Sequence, residues 1–199
     1  MTAGTGPSGG VPRSAVAPPS AHTAPLTSPP ARLAAPPAAV PLGFLAAAGG
    51  ALVACGVAVA WVAPTLVDTP TLPRAVATVH LGLLAFLTVG VLGAAHQFSP
   101  VVGGRALRSR AVAFVTLGLL VPATWLLPYA FATNRPALVE AAGATAATVI
   151  CLAAWNLSAP LLRRHADTPV VGLRIAIGFL VVTALFGATY AFGLVAQLR

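Results

Sequence analysis

The sequence predicts an all-α polytopic membrane helix bundle of five transmembrane helices, with the N-terminus in the cytoplasm and the C-terminus outside. Three observations carry that reading. Hydrophobic residues make up 58% of the 199 and charged residues only 7%, against about a quarter charged in soluble domains. The chain therefore lacks the polar surface a water-soluble globule needs. Five nearly uncharged stretches each reach the ~20 residues that cross a ~30 Å hydrocarbon core. None shows the alternation of a membrane barrel, and only helices satisfy every backbone group within such runs.

Residues 1–40 are rich in Pro, Ala, Ser, Thr and Gly and hold almost no large apolar side chain. Such a segment cannot bury enough surface to offset its ordering entropy, and it reads as a disordered cytoplasmic tail. It does not read as a secretory signal, because the first apolar core begins only near Leu42. The transmembrane domain then occupies residues 41–199. Its first span runs from Leu42 to Ala63, between Pro41 and Pro64, and the second from Ala75 to Phe98, ending at Ser99-Pro100. The third covers Ala111 to Ala132 and holds Pro122 and Pro128, which predict a kink in its outer half. The fourth spans Leu138 to Ser158, ended by Pro160, and the fifth spans Val170 to Gln197.

The net charge of +8 comes from eleven arginines against three acids. Those arginines sit in short connections between apolar spans rather than on a soluble face with polar or aromatic readers, so nucleic acid is not expected as a partner. They read as topogenic charges facing the cytoplasm and anionic lipid. Arg13, Arg32, Arg105, Arg108, Arg110, Arg163, Arg164 and Arg174 fall on one side, and Arg74, Arg135 and Arg199 on the other. That asymmetry sets the orientation, and the cell (inner/cytoplasmic) membrane is the expected location of the multi-pass chain. Aromatics agree: Trp61, Trp125, Tyr129 and Tyr190 lie toward outer span ends, and Phe44, Phe98 and Trp155 toward inner ones.

Cys55 and Cys151 both fall inside apolar spans and read as small packing residues. No CxxC, CxxCH or HExxH pattern occurs, so covalent c-type haem and the common zinc-protease site have no support. No internal repeat is evident. In the second span Gly82, Val89, Gly93 and His96 share nearly one face with Ala85 between them, a seam that another helix can approach closely.

An imidazole inside hydrocarbon is costly, so the two histidines of this span are the candidate functional residues. His80 lies inside the outer end and His96 just inside the cytoplasmic end. On an ideal helix their spacing means ~24 Å of rise and ~160° of rotation, which forbids a shared metal ion. His96, followed by Gln97 and Ser99, reads as a solvated boundary residue; His80 reads as either a hydrogen-bonded neutral imidazole or a ligand. His22 and His165 lie in the tail and a loop. Glu140, Asn156 and Arg174 lie near span ends, within snorkelling distance of water. No chain of acids crosses the bilayer, which argues against a proton pump, and no nucleophile–base–orienter constellation is present.

The stretch His80-Leu81-Gly82-Leu83-Leu84-Ala85-Phe86-Leu87-Thr88-Val89-Gly90, continued by Gly93-Ala94-Ala95-His96-Gln97-Phe98-Ser99-Pro100-Val101-Val102-Gly103-Gly104-Arg105, resembles the second-helix region of small bacterial membrane proteins related to haem-copper oxidase subunit I. Gly172-Leu173-Arg174 and the run Thr183-Ala184-Leu185-Phe186-Gly187-Ala188-Thr189-Tyr190 fit the same group. The resemblance implies haem as cofactor, with His80 as axial ligand toward the outer side and metal ligand of the site. His96 is the second candidate cofactor-binding residue. The family's partner haem ligand and copper-binding histidines lie on later helices, and spans three to five carry no histidine. The resemblance therefore covers the front portion of that fold, and a complete oxidase is not expected. Two readings stay open: a haem-associated protein of electron transfer or haem handling, and a non-enzymatic subunit or scaffold whose histidines are structural and which pairs with another membrane protein or with itself. A small-solute transporter, suggested only by the Pro122/Pro128 break, is a third.

Overall fold

The computed structural model of the chain describes residues 2, 37–69, 72–162 and 167–197. Most of the expected tail, with Arg13, His22 and Arg32, lies outside the described residues, as do Arg163, Arg164, His165 and Arg199. Five long helices follow one another: α1 (Ala39–Asp68), α2 (Pro73–Gly103), α3 (Arg110–Ala132), α4 (Pro136–Leu161) and α5 (Thr168–Gln197). Each is long and apolar enough to cross a membrane, and no strand occurs among the described residues. The fold is an all-α multi-pass membrane bundle.

Prolines do not end these helices where the sequence suggests they should. α1 continues through Pro64 to Asp68, α2 through Pro100 to Gly103, and α4 through Pro160 to Leu161. α3 is one helix across Pro122 and Pro128. A proline removes one N–H and frees one carbonyl four residues back, which a membrane helix tolerates when another donor takes the carbonyl. For Pro160 that donor is visible: the Arg108 backbone N–H binds the freed Asn156 carbonyl at 3.3 Å.

Turn chemistry closes the short connections. Asn134 adopts φ 52 after α3, a left-handed cap residue, while the Asn134 and Arg135 N–H groups bind the Phe131 and Ala130 carbonyls. Pro136 then opens α4 at a position where its missing N–H costs nothing. At the opposite end Gly104 turns the chain with φ 61, and the Ser109 hydroxyl caps α3 by accepting from the Val112 N–H.

α2 is not a uniform helix. Pro73–His80 is α-helical, Leu81–Thr88 is a π-helix, and Val89–Gly103 is α-helical again. In the wider turns of the π segment the Thr88 hydroxyl binds the Leu83 carbonyl, five residues back. Nothing in the composition of LGLLAFLT announces this, and the ideal-helix rotation between His80 and His96 no longer applies. α2 is also the centre of the bundle: its first eight residues lie against α3 and α1, and its last fifteen against α1, α4 and α5. α1 and α5 are peripheral, with 17% and 11% of their most apolar stretches buried against 39% for each of the other three. The core between them is built on Phe44, Leu92, Leu120, Ile150 and Leu157, all fully buried.

The expected seam on α2 exists, and α1 fills it. A Cβ on Gly82 would sit 3.1 Å from Cys55 Sγ, and one on Gly93 would sit 2.5 Å from Phe44 Cβ. Gly103 is tighter still: a Cβ there would run into the carbonyl oxygen of Pro160 on α4. Because that obstacle is backbone, Gly103→Ala is expected to destabilise the bundle by about 1–3 kcal/mol. Gly178→Ala on α5, with nothing within 4 Å, should leave stability unchanged or slightly raised, since alanine is the better helix former. Thermal unfolding of the two variants in detergent separates them.

Candidate functional site

His80 closes the α-helical opening of α2 and borders the π segment. Its Nδ1 lies 2.8 Å from the Val76 carbonyl one turn back. A carbonyl only accepts, so the neutral ring carries its proton on Nδ1 and leaves the lone pair on Nε2. The imidazole is half-buried, and the Phe131 ring of α3 lies 4.8 Å away at a 40° tilt.

His96 corrects the sequence reading. It is not a solvated boundary residue but fully buried, at 0% exposure. Its Nδ1 donates to the Leu92 carbonyl at 2.7 Å, its ring stacks on Phe44 of α1 at 5.3 Å, and its Nε2 has no hydrogen-bond partner. Sequence depth misplaces it because α2 continues to Gly103, two turns beyond His96. The two histidines do face separate surroundings, Phe131 of α3 for one and Phe44 of α1 for the other. Among the described residues no three His, Cys, Asp or Glu side chains gather into a metal cluster, and both cysteines are free thiols.

Asn156 is likewise buried at 0% rather than interfacial. Its Oδ1 accepts the Ser109 N–H at 2.8 Å, while its Nδ2 has no partner. With Gly103 seated on Pro160 and both helices running the same way, one turn back places Ser99 level with Asn156. Two turns back place His96 level with Ala153. A buried acceptor, His96 Nε2, and a buried donor, Asn156 Nδ2, therefore occupy adjacent layers at one end of the bundle.

At that end basic side chains do structural work that charge counting does not reveal. Arg108 Nε donates to the Trp155 carbonyl at 3.1 Å and the Ser158 hydroxyl at 2.8 Å, with the guanidinium 5.3 Å over the Trp155 ring. Arg174 reaches across from α5 to the Leu161 carbonyl at 2.5 Å. Both cations thus sit at the C-terminus of α4, where the helix dipole favours positive charge. At the opposite end a cleft of about 430 Å³ opens between α1, α2 and α3, lined by Trp61, Arg74, Ala77, Leu81, Trp125 and Tyr129 among others. His80 is not part of its wall.

As an axial haem ligand, His80 fits in two respects: its proton is held on Nδ1 by the Val76 carbonyl, and Nε2 keeps its lone pair. The described helices α3, α4 and α5 carry no histidine to stand opposite it. Comparison with protein-family models, with curated proteins and with solved structures gives no match.

Three substitutions test this packing by unfolding in detergent. His96→Ala should destabilise by about 3–5 kcal/mol, the cost of emptying a ring-sized core site. His96→Phe, which keeps the stack on Phe44 and removes the orphaned nitrogen, should cost less than about 1.5 kcal/mol. Asn156→Ala strands the Ser109 N–H and should cost about 1–3 kcal/mol.

Proposed function

We propose that the protein is a haem-associated, multi-pass subunit of the bacterial cytoplasmic membrane, resembling the front portion of haem-copper oxidase subunit I, with His80 as axial ligand. The observation that carries the reading is the pinned imidazole: Val76 holds Nδ1, and Nε2 stays available on a half-buried ring. Its place beside a π-helical segment adds support, since such segments recur at functional sites. Haem bound there would supply one-electron chemistry. Electron transfer or haem handling suits a chain whose later helices carry no histidine, and the remaining ligand would come from a second membrane protein or a second copy of this one. The arginine asymmetry supports an N-terminus in the cytoplasm and a C-terminus outside.

A second reading, a non-enzymatic subunit or scaffold with structural histidines, is favoured by one observation: both rings already bond their own helix and pack on a phenylalanine. One experiment decides. The purified protein, supplemented with haem, is expected to give a Soret band and a reduced-minus-oxidised difference spectrum. His80→Ala should lose both, while His96→Phe keeps them. No band, or a band indifferent to His80→Ala, overturns the haem reading and leaves the scaffold.

A further inference from the structure

The cleft between α1, α2 and α3 has a composition that selects for charge. Arg74 stands at the first turn of α2, and its guanidinium has no acidic partner among the described residues. Trp61 and Tyr129 are exposed by 82% and 51% and Trp125 by 40%, so three polar aromatic side chains share the cleft with that cation. An indole N–H and a guanidinium only donate, and a phenol donates readily. No carboxylate lines the cleft. The rest of the lining is mostly apolar, with Ala77 and Leu81 among its residues. Donors and apolar side chains lining one cleft, on a helix bundle in lipid, match an amphiphile with an anionic head. The aromatic side chains alone would also suit a choline cation, but the guanidinium repels one.

We propose that this cleft binds one anionic phospholipid, with its phosphate on Arg74 and the Trp61, Trp125 and Tyr129 tips and one acyl chain along the apolar wall. The site is independent of His80, which lies outside the cleft wall. Basic residues beside membrane helices attract anionic headgroups, and the aromatic belt fixes the depth at which the head sits.

The test uses the full-length protein carrying Trp155→Phe, so that Trp61 and Trp125 are the only remaining indoles. It is reconstituted into vesicles in which either phosphatidylglycerol or phosphatidylcholine carries dibrominated acyl chains, which quench nearby tryptophan. Half-maximal quenching is expected at a roughly fivefold lower mole fraction of the brominated anionic lipid, the preference one basic residue confers. Arg74→Gln should erase that preference and Arg74→Lys should retain it. Arg135→Gln, at the same end but outside the cleft, should leave it intact. Equal quenching by the two lipids, a preference that survives Arg74→Gln, or one lost equally in Arg135→Gln overturns the proposal. So does abolition by millimolar inorganic phosphate, which would make the site one for a free anion.

Discussion

A carbonyl that loses its helical partner inside hydrocarbon has no water to turn to, and four of the five helices here carry an internal proline. The C-terminal end of α4 shows how the chain meets that constraint. Pro160 frees the Asn156 carbonyl, and the Arg108 N–H takes it. Arg108 Nε covers the Trp155 carbonyl, and Arg174 covers that of Leu161. The donors come from the α2–α3 connection and from α5. Satisfying one helix end therefore ties three parts of the chain together. At the same end Gly103 presses its backbone against Pro160, where a Cβ would run into the Pro160 carbonyl, and brings α2 close against α4.

The central position of α2 makes its irregularity consequential. The π segment separates a first stretch lying on α3 from a last stretch lying on α1, α4 and α5. His80 and His96 bracket it and end in different chemical settings. One ring is half-buried against Phe131 with an available Nε2; the other is sealed under Phe44 with its Nε2 unpaired. A regular helix of the same sequence would give the two rings a different angular relation.

The two ends of the bundle divide their labour. At the Arg108 end, cations, amide and hydroxyl are engaged in holding backbone groups, so charge there acts as structure. At the Trp61 end, Arg74 and the aromatic tips surround an open cleft, and His80 lies two turns into the same helix. The groups free to meet a ligand are concentrated toward one end of the bundle.

The fold class was legible because it rests on composition and run length: long, nearly uncharged stretches in lipid admit only helices, and the Gly82/Gly93 seam follows from residue size. Helix ends were less legible, since Pro64, Pro100 and Pro160 are stops only when nothing else takes the freed carbonyl. For Pro160 that donor comes from the Arg108 backbone, 52 positions away from the proline. The burial of His96 and Asn156 depended on the same long-range packing, because depth along a span says nothing about which neighbour covers a face. The Leu81–Thr88 π turns, the pairing of Arg108 with Trp155 and the cleft around Arg74 have no local signal at all. The sequence by itself determined that this chain is a five-helix membrane bundle and that both histidines of its apolar spans lie on α2. Only the tertiary structure decided which imidazole is sealed and which is left half-open, because that depends on contacts with helices remote in the chain, Phe44 of α1 for His96 and Phe131 of α3 for His80.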